Sequence, residues 1–279
     1  MKPISDMWLI QIEVTNTCTH KCSHCTRACS HIKKPFMGGL DYIEKALRSM
    51  EGWNRGVGCM GGEPTLHPKF PEICELYRKY FPRDRCGLWS SGGKHYERHR
   101  DIIEQTFGFQ LYNDHSEIGR HQPVLVASEE IVPDEKLRNE LIDNCWIQER
   151  WSPSINPKGG FFCEVAAMID LLFGGPGGYL LEKNWWQRNV NDFRDQRDRY
   201  CRLCSMAIPM RDLPNNIPFD YVSRGNAERL KLVGSPKVTK GEIKIFDKIY
   251  TRDVINHILE LYRPDPWDYL GPKGIRKSG

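Results

Sequence analysis

The chain has 279 residues, 39% of them hydrophobic and 11% aromatic, with a formal net charge of +4. That length supports one large domain or a domain with an appendage, and the composition excludes a disordered chain. The charge forms no basic stripe, and no apolar run reaches membrane-spanning length or follows a signal-peptide pattern, so no nucleic acid and no membrane are expected and the protein is expected to be cytoplasmic.

Trp8 to Thr15 alternates with period two. Ile10, Ile12 and Val14 share one face; Gln11, Glu13 and Thr15 share the other, which in a barrel points inward. A cysteine-rich stretch, Cys18 to Cys29, follows. Asp41, with Glu44 three residues on, reads as the capping box of a helix whose apolar face is Ile43, Ala46, Leu47 and Met50. Gly56 to Met60 reads as a buried strand ending in Gly61-Gly62-Glu63-Pro64. A helix from about Pro68 carries Phe70, Ile73, Cys74, Tyr77 and Phe81 on one stripe. Cys86 to Ser91 predicts a strand and Tyr96 to Phe107 a helix. Phe109 to Asn113 and Pro123 to Ala127 predict two more strands. Asp134 to Asp143 predicts a helix, and Trp146 to Trp151 a sixth strand.

Repeated β–α units of this length predict an α/β fold with right-handed crossovers. Six strands are too few for an eight-fold barrel, so the expectation is a partial (β/α)6 TIM barrel with its chemistry at the C-terminal strand ends. The texture changes after residue 152. Ser152 to Cys163 reads as a hairpin turning at Pro157-Lys158-Gly159-Gly160. Glu164 to Phe173 predicts a helix, Gly174 to Gly178 a break, and Asn184 to Arg199 a helix leading to Cys201-Arg202-Leu203-Cys204. Ser205 to Lys240 reads as loop-rich, Thr251 to Tyr262 as a helix, and Gly271 to Gly279 as a disordered basic tail. The expected division is a core over 1–152, a small appended domain over 153–240, and a helix and tail over 241–279.

Eleven cysteines in a reducing compartment read as metal ligands where they cluster, not as disulfides. Cys18, Cys22 and Cys25 form C-x3-C-x2-C on the loop after the first strand. Together with Gly61-Gly62-Glu63-Pro64 one β–α unit later, this resembles the radical SAM superfamily. The resemblance implies a 4Fe–4S cluster on the three thiolates, with its fourth iron open to S-adenosylmethionine (SAM). It implies that His24 stands where relatives place an aromatic residue, and that Gly61, Gly62, Glu63 and Pro64 bind the methionine end of SAM. Ser91 then falls near the SAM carboxylate and Asn113 near the ribose. Zinc on the same cysteines is the competing assignment, with Cys29, His20, His24 or His31 as the fourth ligand.

Cys145, Cys163, Cys201 and Cys204 resemble the four ligands of a twitch-type domain, as in the inosamine dehydrogenase of the butirosin pathway. That implies a second, auxiliary 4Fe–4S cluster and an oxidation in which it accepts an electron. The expected substrate is a polar small molecule, cyclitol or sugar-like, and the expected reductant a flavodoxin or ferredoxin. Glu13, His115 and one of Glu149 and Arg150 are the candidates to meet the substrate hydroxyl. Two alternatives stand beside this one: a maturase acting on a ribosomal peptide, and a noncatalytic zinc protein. A first strand starting at residue 8 leaves no N-terminal leader-binding domain, which argues against the maturase.

Overall fold

The computed structural model describes residues 1–113, 118–150, 153–261 and 275–277. Strand β1 (Leu9–Thr15) is buried along its whole length, as a central strand of a parallel sheet must be. Helix α1 (Leu40–Ser49) buries Ile43, Ala46 and Leu47 as expected, but its N-cap is Gly39 without a side-chain cap. Strand β2 (Gly56–Gly61) and helix α2 (Phe70–Tyr80) follow, α2 with Phe70, Ile73, Cys74 and Tyr77 buried. The expected capping box at Asp41 does not form. Glu44 instead accepts from Lys79 Nζ at 2.7 Å and Tyr80 Oη at 2.6 Å, so it ties α1 to α2.

Strand β3 (Cys86–Ser90) comes next. The helix expected over Tyr96–Phe107 is two, α3 (Gly93–Arg98) and α4 (Arg100–Thr106), meeting at His99. Strand β4 (Phe109–Tyr112) and a two-residue strand β5 (Arg120–His121) follow. Helices α5 (Ser128–Ile131) and α6 (Glu135–Asp143) come next, α6 capped by Asp134, whose side chain accepts from Leu137 N. Pro123 to Ala127 is not the fifth strand. Val124 to Ala127 are buried, yet their backbone bonds to Ser205, Ser223 and the Asn226 side chain rather than to a sheet. An apolar run reports burial and does not specify which backbone pairs with it.

Residues Trp146–Arg150 form a short helix, α7, not a sixth strand. Five residues that alternate also fit one helical turn, and Gln148, Glu149 and Arg150 are helix formers. The strand alternation that set Glu149 against Arg150 therefore does not apply. The hairpin forms where expected, as β6 (Ser154–Asn156) and β7 (Gly159–Phe161). Helix α8 (Glu164–Phe173) ends at Gly174, whose left-handed φ of 68° caps it. Only α9 (Arg194–Tyr200) and a 3-10 turn at Trp185–Gln187 form where a long helix was expected. The stretch expected to be loop-rich holds β8 (Leu213–Pro214), β9 (Asp220–Val222), α10 (Arg224–Leu232) and α11 (Pro236–Thr239). Strand β10 (Ile243–Ile245), helix α12 (Arg252–Leu261) and strand β11 (Ile275–Lys277) complete the order. Part of the tail expected to be disordered thus pairs with β4.

The main sheet runs β11-β4-β3-β2-β1-β6-β7. Strands β4, β3, β2, β1 and β6 are mutually parallel, and β7 and β11 add antiparallel edges. The α/β class and the parallel core of a partial barrel hold. The hairpin reaches the sheet on the far side of β1, so β1 is central. Tyr42 Oη on α1 fastens that junction, donating to Glu13 O at 3.1 Å and Ile155 O at 3.2 Å. Among the described residues no helix is long and apolar enough to cross a membrane.

Candidate functional site

Parallel strands bring their C-terminal ends together, and the predicted motifs sit there. The loop after β1 carries Cys18, Cys22 and Cys25. The three thiols lie within electrostatic reach of one another. Burial pushes Cys18 up to about 11 and Cys22 up to about 12. Cys25 is held low, first by a hydrogen bond with the Cys29 thiol, which is raised in turn. His20 N–H points at Cys18 Sγ at 3.4 Å. Among the described residues no three His, Cys, Asp or Glu side chains converge closely enough to hold a single metal ion. Ligands at separate corners of a cubane bind different irons and stand further apart than ligands of one ion. Three soft thiol donors on one loop fit such a cluster.

The Gly61-Gly62-Glu63-Pro64 turn packs directly onto this loop. A Cβ on Gly62 would stand 2.3 Å from Thr17 O, and Gly61 has a φ of 155° hard against Thr15 O. Gly62 N donates to Thr15 O and Glu63 N to Thr17 O, both at 2.8 Å. The glycines are therefore required for close approach to the chain's own backbone. The buried Glu63 carboxylate accepts from Thr65 N and Oγ1, Ser90 Oγ, and Ser91 N and Oγ at 2.7–3.2 Å. It welds the β2 end to the β3 end. Pro64 opens the following 3-10 turn. At the β4 end Asn113 N donates to Ser90 O at 2.9 Å while its side chain is exposed.

His24 is buried, with a left-handed φ of 56°. Its backbone N donates to Asp220 Oδ1 at 2.8 Å, and its Nε2 accepts from Tyr221 N at 2.9 Å. Burial holds the ring's pKa down to about 4, so it is neutral at neutral pH. Its Nδ1 is buried without a partner among the described residues.

The inward face of β1 holds an ion cluster that the sequence did not reveal. Arg27, two residues past Cys25 and 4% exposed, donates to Glu13 Oε1 at 3.0 Å and Glu164 Oε2 at 2.7 Å. It also donates to Gln11 Oε1. Ser154 Oγ adds a 3.2 Å bond to Glu13. Burial raises Glu13 in spite of Arg27. The available signal was the pair Gln11 and Glu13 on an inward face, which demands a buried cation, and an arginine placed between two cysteines of the loop.

The other four predicted cysteines come together from three separate segments. Cys145 precedes α7, Cys163 precedes α8, and Cys201 and Cys204 flank a 3-10 turn after α9. All four line one small cavity of about 30 Å³, whose walls are otherwise mostly apolar, with Ile147, Phe162, Ile169 and Met206 among them and Gln148 beside them. Burial pushes Cys145 up to about 12 and Cys201 and Cys204 well above the ordinary thiol range. Met206 N–H points at Cys204 Sγ at 3.3 Å. Four thiols around an apolar void fit a fully thiolate-ligated cluster. Cys59, Cys74 and Cys86 are buried core residues away from both sets. His115 lies outside the described residues. Glu149 and Arg150 end α7, and their side chains lie outside the described residues as well.

The sequence model of the radical SAM superfamily matches residues 12–108. Among solved structures, BtrN in complex with AdoMet and 2-DOIA is 15% identical, with a TM-score of 0.46, over 71% of this chain and 88% of that one. SuiB of Streptococcus suis bound to S-adenosylmethionine is 16% identical, with a TM-score of 0.31, over 37% of this chain and 23% of that one. No curated protein matches. Both motifs, the three cysteines and the Gly-Gly-Glu-Pro turn packed against them, fall inside the segment that matches the radical SAM superfamily, a family that implies a 4Fe–4S cluster and SAM.

Proposed function

We propose that the chain dehydrogenates a polar, hydroxyl-bearing small molecule, cyclitol or sugar-like, with a second 4Fe–4S cluster as electron acceptor. The observation that carries this proposal is the apolar cavity lined by Cys145, Cys163, Cys201 and Cys204. Its four thiols would make a complete ligand set, with no position left open for a substrate. Residues 153–240 would then act as a twitch-like domain on the core of residues 1–152.

When bound, the first cluster and SAM supply a 5′-deoxyadenosyl radical that takes a hydrogen atom from an unactivated C–H. Cys18, Cys22 and Cys25 would hold that cluster. The backbone of the Gly61–Pro64 turn, Ser91, Asn113 and His24 would bind SAM. Oxidising an alcohol also removes one proton and one electron. The proton needs an acceptor beside the hydroxyl. Glu13 is suited to that, since burial has already raised its pKa. His115, Glu149 and Arg150 are the further candidates. The electron needs an acceptor nearby. Arg27 joins the two regions, because it follows Cys25 by two residues and is paired with Glu164, the neighbour of Cys163. A flavodoxin or ferredoxin would reduce the first cluster.

The test is turnover with a panel of cyclitols and sugars, following 5′-deoxyadenosine and ketone by mass spectrometry. Ketone formed in step with 5′-deoxyadenosine supports the proposal. Product that is rearranged but not oxidised, at full iron content, contradicts it.

A further inference from the structure

Three elements of the appended segment grip the loop that carries Cys18, Cys22 and Cys25. Ser23 N donates to Asn215 O at 2.7 Å and Ser23 Oγ to Pro214 O at 3.1 Å. Asp220, 3% exposed, accepts from the His24 backbone at 2.8 Å, from Lys237 Nζ at 2.8 Å, and pairs with His31 Nε2 at 2.6 Å. His31 Nδ1 lies 2.8 Å from Ser235 Oγ. The Asp220 charge is thus satisfied by groups from two sides, and its carboxylate stays fixed under residue 24.

That grip dictates the state of one side chain. A left-handed backbone is costly for a residue with a Cβ, and the Asp220 bond holds His24 in it. The Tyr221 N–H occupies Nε2 of the neutral ring, and the Tyr221 ring stacks on it at 17°, centroids 6.1 Å apart. The ring proton must then sit on Nδ1. This N–H is buried with no acceptor among the described residues, one residue from Cys25. A buried unpaired donor is expensive unless a ligand completes it.

We propose that Asp220 and Tyr221 are positioning residues for SAM: they fix His24 in one backbone conformation and one tautomer, so that its Nδ1–H donates to an acceptor atom of bound SAM. The proposal rests on the radical SAM assignment. It makes the appended segment part of the SAM site. His24→Phe keeps a ring and removes the donor. Asp220→Asn keeps the shape and removes the charge that Lys237 and His31 hold in place under residue 24.

The experiment is a double-mutant cycle on SAM affinity, measured with SAM alone on the anaerobically reconstituted proteins. Iron content and thermal melting are the folding controls. His24→Phe should raise the SAM Kd roughly tenfold, the scale of one lost hydrogen bond. Asp220→Asn should raise it in the same direction. In the His24→Phe background Asp220→Asn should add little further, because it acts through His24. Unchanged affinity in His24→Phe, or an Asp220→Asn loss that persists undiminished in the His24→Phe background, overturns the proposal. Failure of the iron-loaded wild-type protein to bind SAM at all would instead strike the superfamily assignment.

Discussion

Replacing Arg27 by Met removes the cation from a buried site and leaves Glu13 and Glu164, 2% and 4% exposed, with no counter-charge between them. Breaking a buried pair by deleting one partner costs about 3–5 kcal/mol. The alternative is to protonate Glu13. From its ordinary value of 4.5, that costs about 3.4 kcal/mol at pH 7, at about 1.36 kcal/mol per unit. The two estimates agree. The second predicts a pH dependence. Glu13 is raised in the folded state, so its contribution to stability is present below about 4.5 and is lost as pH rises through its folded value. Without Arg27 it rises further. Acidification from pH 7 to 5 should therefore narrow the gap between Arg27→Met and wild type, by up to about 2.7 kcal/mol. Urea unfolding of both reconstituted proteins at pH 5, 6 and 7 measures this. Adding Glu13→Gln to Arg27→Met should recover part of the loss. A gap below about 1 kcal/mol at pH 7, or a gap that does not change with pH, would show that Arg27 does not neutralise Glu13.

Cys201→Ala should lose the second set's iron while leaving SAM cleavage by the first, so ketone falls relative to 5′-deoxyadenosine; product analysis of the variant checks this. Because burial raises the Cys145, Cys201 and Cys204 thiols, and metal binding must displace their protons, loading of the second site should improve from pH 7 to pH 9. Iron content of the protein reconstituted at each pH measures it. Burial alone would raise Asp220, but the His31 bond and the Lys237 charge hold it below its ordinary 3.8. Its contribution to stability is therefore present above about 4 and lost as pH falls below that. Asp220→Asn should be destabilised at pH 7, and the difference from wild type should shrink at pH 3 in melting experiments.

Local signals carried far into this fold. The alternation of Ile10 to Thr15, the apolar stripe of α2, the helix ending at Asp143 and the Pro157–Gly160 turn each depend on residues close in sequence, and each forms as expected. The cysteine spacing and the Gly61–Pro64 turn were legible because the chemistry needs fixed residue types at fixed intervals. Errors arose where local signals were ambiguous. Val124 to Ala127 is apolar enough for a strand, but its partners lie at Ser205, Ser223 and Asn226. Trp146 to Arg150 is short enough to suit either period. Arg27 with Glu164, and His24 with Asp220, are pairings across long stretches of chain. No local periodicity encodes them. Only the need to neutralise Glu13 hinted at the first.

The central claim is that this chain holds iron–sulfur clusters and cleaves SAM. Its most direct test is anaerobic reconstitution, with iron and sulfide measured alongside 5′-deoxyadenosine released from SAM under dithionite. About eight irons per chain are expected, two cubanes of four, with 5′-deoxyadenosine formed and abolished by Cys18→Ala. Zinc in place of iron, with no 5′-deoxyadenosine, would contradict it.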